Sequence, residues 1–120
     1  MSEASIQEAM RLDLSRGNVR LFRNHRGKVQ DARTGRWHEF GLAPGASDLI
    51  GWKTVTITED MVGQKVAVFT AIEVKASPSS RKTREQKLFV EAVRRAGGLA
   101  CFAWTVGLAR SLLGQGGDED

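Results

Sequence analysis

The chain has little that would staple or anchor it. It contains a single cysteine, Cys101, so an intrachain disulfide framework is excluded and a cysteine-based zinc site is disfavoured. No apolar run approaches the roughly 20 residues that span a bilayer as a helix. The opening MSEASIQEAM lacks the basic-then-apolar layout of a secretory leader. No internal repeat, helix-turn-helix, zinc finger or phosphate-binding loop stands out, and GQGGDED lacks the Lys-Ser/Thr pair of the last. These absences leave a cytoplasmic, membrane-free domain as the expectation.

What is present is charge, unevenly placed. The formal net charge over 120 residues is +4. Seven Lys/Arg fall between Arg16 and Arg36 against one acid, Asp31. Six more fall between Arg81 and Arg95 against Glu85 and Glu91, while Asp118, Glu119 and Asp120 gather the acids at the end. Basic clusters attract polyanions, and phosphate contacts supply most non-specific nucleic-acid affinity. A solvated basic surface without a partner is the plain alternative. The candidate phosphate contacts are Arg20, Arg23, Arg26, Lys28, Arg81 and Lys82.

Periodicity supplies the elements. Ile6, Met10 and Leu14 mark one helix face over 3–15, with Ser5 and Glu8 at capping-box spacing and Gly17-Asn18 as the stop. NVRLFRN at 18–24 is strand-like, and the polar, Gly- and Arg-rich stretch to Phe40 reads as a long loop or loose hairpin. GLAPG, 41–45, is turn chemistry. SDLIGWKTVTI and KVAVFTAIEVK then read as two strands joined by TEDMVGQ into an antiparallel hairpin. Thr83 and Gln86 form a second capping box before the apolar stripe Leu88, Phe89, Ala92, Val93, Ala96, which Gly97-Gly98 closes. LACFAWT is a buried strand, VGLARSLL a last helix, and 114–120 a frayed acidic tail. The expectation is one α/β domain over 1–113, a mixed central sheet flanked by helices.

AIEVKA, 71–76, holds the chemistry. Side chains alternate along a strand, so Glu73 and Lys75 share one face. Taken alone, that pair reads as an exposed cross-strand salt bridge. In an unbulged hairpin turning near residue 61, Asp48 falls opposite Val74, beside Glu73, within reach of one metal ion. Carboxylates, a lysine and substrate phosphate are what a Mg²⁺ site uses. Trp37, Trp52 and Trp104 read as core or interface, Cys101 as a packed thiol, and His25 and His38 receive no role.

GLAPGASDLIG, then IEVK, then T-x-x-Q at 83–86, together with VRLFRN, resemble the virus-type replication-repair branch of the PD-(D/E)xK nuclease superfamily, over about residues 5–106. Ser47 stands where the superfamily's name puts proline. The resemblance implies a helix, three-strand meander, helix, strand core. It implies metal ligation by Asp48, Glu73 and the Val74 carbonyl, with Glu8 as an additional acidic ligand, Lys75 as the catalytic lysine and Gln86 ordering the water or the lysine. Glu8 and Gln86 are each also explained as helix caps. It further implies a Mg²⁺- or Mn²⁺-dependent DNA endonuclease, a homodimer acting on duplex or branched DNA such as Holliday junctions, of phage or prophage origin in a bacterial cytoplasm. The alternatives are a non-catalytic DNA-binding module on the same fold and a partner-binding domain with a fortuitous E-x-K.

Overall fold

The computed structural model describes residues 2–43 and 46–115. The last two residues of the 41–45 turn and positions 116–120 of the expected tail lie outside them. The protein is a small mixed α/β chain with three α-helices and short antiparallel and parallel ladders. It divides into two compact units, Met1–Val55 and Thr56–Asp120, each described here by itself.

The first unit opens with α1, Glu3–Leu14. Its cap lies three residues earlier than the sequence suggested. Ser2, in extended conformation, accepts from the Ser5 N–H, so the Ser5/Glu8 capping box does not form. The Ser2 cap places the acidic Glu3 in the first turn, where the helix dipole favours it. Strand β1, Val19–Arg23, pairs antiparallel with the strand Leu49–Lys53, Leu21 standing opposite Gly51 and Arg23 opposite Leu49. Between them β2, Gly27–Gln30, and β3, Trp37–Phe40, form an antiparallel hairpin of their own, and Leu49–Lys53 is therefore β4. On β1 and β4 the Phe22 and Trp52 rings meet at 5.6 Å between centroids, tilted by 47°. That contact suits the core role read for Trp52, whereas Trp37, with 64% of its surface exposed, is not a core residue of this unit.

The second unit is built around β5, Thr70–Val74, and β6, Leu99–Ala103, paired in parallel with Ile72 opposite Cys101. Parallel neighbours need a crossover, and α2, Arg84–Arg95, supplies it. The helix ends as its glycines require. The Gly97 N–H bonds to the Arg94 carbonyl and the Gly98 N–H to the Val93 carbonyl, with Gly97 at φ 95°. Val90 and Val93 on α2 are buried, as are Ala100 and Ala103 on β6. Cys101 is only half-buried, so β6 is not covered as completely as its composition suggested. A single 3₁₀ turn, Glu59–Met61, precedes β5, and α3, Val106–Leu112, follows β6, capped by Thr105.

Two expectations are corrected. The segments 47–57 and 65–75 do not pair with each other among the described strands; the ladder partner of β4 is β1 and that of β5 is β6. The described strands also form three two-stranded ladders rather than one mixed sheet. Only 70–74 of the long apolar-alternating run is in a ladder, because pairing, not β-propensity, decides where a strand exists.

Val93 is the side chain most completely removed from water, at 1% exposure. Val93→Ala deletes two buried methylene equivalents and leaves a cavity, and should cost about 2 kcal/mol in urea unfolding. Val62→Ala, at a residue 83% exposed, should stay within about 0.5 kcal/mol.

Candidate functional site

The face of β5 that carries charge is the covered one. Ala71, Glu73 and Lys75 are half-buried, whereas Ile72 and Val74 are exposed, Val74 to 74%. The larger apolar residues of the strand are thus the ones left facing outward. α2 packs against β5, and its first turn lies over the charged face.

Gln86 joins the charged pair. Its carbonyl oxygen Oε1 accepts from Lys75 Nζ at 2.7 Å and from the Thr83 backbone N–H at 3.0 Å. Its amide nitrogen Nε2 donates to Glu73 Oε2 at 3.1 Å. Thr83 Oγ1 in turn accepts from the Gln86 N–H at 3.1 Å, completing the capping box. Both groups facing Oε1 can only donate, and the carboxylate facing Nε2 accepts, so the orientation of the amide is fixed by its partners. The cap and the functional reading of Gln86 were alternatives on sequence; the same side chain does both, because Oε1 has two lone pairs and uses each.

The arrangement leaves groups to spare. Glu73 Oε1 makes no hydrogen bond to a described residue, and an ammonium has three donors, of which Lys75 commits one to Gln86. The backbone adds a further oxygen. The Leu99 N–H bonds to the Phe69 carbonyl and the Lys75 N–H to the Ala103 carbonyl, so odd-numbered residues of this segment face β6. By alternation the Val74 carbonyl points away from β6. A carboxylate oxygen and a carbonyl oxygen are the hard donors that Mg²⁺ or Mn²⁺ takes.

The other two acidic residues predicted for the site, Asp48 and Glu8, belong to the first unit. Asp48 is exposed just before β4. Its main chain is pinned by Asn24, whose backbone N–H donates to the Asp48 carbonyl at 2.9 Å and whose amide donates to the Ser47 carbonyl at 3.0 Å. The Asn24 Oδ1 also accepts from the Leu42 N–H. Asn24 had no assigned role; a polar amide closing the strand-like run VRLFR was the signal for it. Glu8 is exposed on α1 and held by Arg11 through Nε to Oε1 at 3.0 Å and Nη2 to Oε2 at 2.8 Å. No cluster of three His, Cys, Asp or Glu suited to a metal occurs among the described residues.

The candidate phosphate contacts divide. Arg20 spends its guanidinium on the Gly17 and Val19 carbonyls, and Lys82 lies 5.1 Å over the Phe102 ring. Arg23, Arg26, Lys28 and Arg81 are exposed. No helix among the described residues is long and apolar enough to cross a membrane. Comparison with family models, with curated proteins and with solved structures finds no match for the chain.

Two tests address these contacts. Thr83→Ala should cost about 1 kcal/mol, the usual worth of a cap. Gln86→Leu should cost more, about 2 kcal/mol, because it also strips Lys75 and Glu73 of their shared partner; equal losses in urea unfolding would reduce Gln86 to its cap. The Arg11 hydrogen bonds hold the Glu8 carboxyl below its ordinary range, with smaller help from the Arg11 and Arg23 charges. A depressed folded-state pKa contributes stability above the unfolded value and loses it as pH falls through the folded one. Arg11→Ala should therefore move the Glu8 titration, followed by carboxyl NMR, upward toward the ordinary value.

Proposed function

We propose that the chain is a Mg²⁺- or Mn²⁺-dependent DNA endonuclease with the PD-(D/E)xK core of the virus-type replication-repair branch, hydrolysing phosphodiesters in duplex or branched DNA. The observation that carries this reading is the chain of contacts from Glu73 through Gln86 to Lys75, which holds a carboxylate and an ammonium on one covered strand face. A buried salt bridge would use the two charges up on each other. The interposed amide keeps them apart and leaves each with unused capacity.

A hard cation would be held through Glu73 and the Val74 carbonyl. Such a cation, when bound, polarises a phosphodiester and makes water more acidic. Lys75 supplies the positive charge that grows in value as negative charge builds on the phosphoryl oxygens, and Gln86 fixes the direction of its ammonium. Water adds to phosphorus, the bond to the departing sugar oxygen breaks, and a proton reaches that oxygen, leaving a phosphate end and a hydroxyl end. Exposed Arg23, Arg26, Lys28 and Arg81 suit phosphate contacts. A homodimer would present two such sites to opposite strands or to a four-way junction, in the bacterial cytoplasm of a phage or prophage host.

The second reading is a non-catalytic DNA-binding module. Glu8 favours it, since its two oxygens are already occupied by Arg11.

Cleavage of single-stranded, duplex, flap and four-way DNA in Mn²⁺ separates the two. The wild type should cut, and Lys75→Ala should cut at least about a hundredfold more slowly while binding DNA unchanged. No cutting of any substrate by the wild type, with DNA binding retained, selects the binding module.

A further inference from the structure

The β2–β3 hairpin is the part of the first unit that the proposed chemistry leaves without a task. Its tip is stiff. Asp31 Oδ1 accepts from the Arg33 N–H at 2.7 Å and the Thr34 N–H at 3.1 Å, and Thr34 Oγ1 accepts from the Arg36 N–H at 3.2 Å. The Gly35 N–H closes back on the Asp31 carbonyl, the Asp31 N–H bonds to the Arg36 carbonyl, and Gln30 Nε2 donates to the Gly35 carbonyl. Gly35 sits at φ 74°, a conformation that glycine adopts without strain. The N–H groups of Asp31, Arg33, Thr34, Gly35 and Arg36 are thus spent on holding the turn's shape, and the cationic side chains are not.

Those side chains are exposed. Arg33 and Arg36 make no ion pair among the described residues, and Arg26 and Lys28 extend the charge toward the base. Asp31 is the acid of the tip; one of its oxygens serves the turn and the other lies 4.0 Å from His38 Nε2. Glu39, opposite Lys28, offsets a single charge. Beside the tip stands Trp37, opposite Gln30 in the ladder, with its indole 64% exposed. The tryptophan offers an aromatic face beside unpaired positive charge, and the cations argue against an apolar lid.

We propose that the β2–β3 ribbon grips unpaired nucleotides next to duplex DNA, with Trp37 stacking on an exposed base and Arg33 and Arg36 on the flanking phosphates. An uninterrupted duplex keeps its bases stacked on each other and offers the ribbon phosphates only. A flap, tail or branch offers a free base face, and stacking of one base on an aromatic ring supplies a preference that phosphates cannot. The inference rests on the nuclease reading only in taking DNA as the polymer, and it narrows that reading's substrate to DNA carrying unpaired bases.

Fluorescence anisotropy in EDTA, which prevents cleavage, measures binding of the whole chain to a short duplex and to the same duplex with a single-stranded tail. The wild type should prefer the tailed form. Trp37→Ala should lose about tenfold on the tailed form and less than about twofold on the plain duplex, and Trp37→Phe should restore most of the loss. Arg33→Ala with Arg36→Ala should weaken both substrates alike and flatten the dependence of log affinity on log salt by up to about two. Circular dichroism checks that each variant is folded; these positions carry no buried side chain. Equal losses by Trp37→Ala on both substrates, or none, overturn the proposal. So does a Trp37→Ala variant whose sedimentation shows a dimer turned to monomer, because the ribbon is then a contact between copies. Mn²⁺-dependent cutting of the plain duplex is measured in parallel. Cutting without a Trp37 effect on the tailed form sinks the ribbon alone, and a Trp37 effect without cutting sinks the nuclease alone.

Discussion

The second unit depends on one amide. Gln86 Oε1 is held by two donors from different elements, the Thr83 N–H at the start of α2 and the Lys75 ammonium at the end of β5. Moving the helix start would break the cap, and moving the strand end would strand an ammonium on a half-covered face. Neither loss is offset elsewhere, since β5 and β6 form a ladder of only five residue pairs and the fully buried side chains are small. A glutamine is the right residue for this junction. Its carbonyl takes two donors and its amide faces a carboxylate, a combination that neither Glu nor Lys could offer without repelling one neighbour.

The elements whose signals are local were legible in the sequence. Thr83 and Gln86 announce a capping box and form one, Gly97-Gly98 announce a helix stop and make its two backbone bonds, and VGLARSLL becomes α3. Glu73, Lys75 and Gln86 were read together from strand alternation and resemblance, and Gln86 bonds to both of the others. What the sequence did not reveal is non-local. KVAVFTAIEVK has the composition of one long strand, but composition does not name the partner that would make it one. The antiparallel hairpin was inferred from chain proximity, whereas the β5 ladder is parallel and runs through α2. Ser5 and Glu8 show the same limit at short range. Their spacing satisfies the capping-box rule, but Ser2 caps the helix three residues earlier, and Glu8 is then drawn to Arg11 one turn on.

The charge count is also a poor guide to available charge. Of the cations that make the chain basic, several are committed to its own structure. Arg11 holds Glu8, Arg20 holds the carbonyls of Gly17 and Val19, Arg94 donates to the Ala100 carbonyl at 2.9 Å, and Arg95 holds Glu91. A polyanion competing for these must first displace a bond already made. The cations of the β2–β3 ribbon face no such competition, since the bonds that stiffen its tip use backbone N–H groups, one carboxylate and one hydroxyl. Two stretches with similar densities of Lys and Arg therefore differ in what they can offer. Along α2 part of the charge holds helix to strand. On the ribbon a rigid backbone presents its guanidiniums at little further ordering cost, which is the condition under which exposed charge turns into affinity.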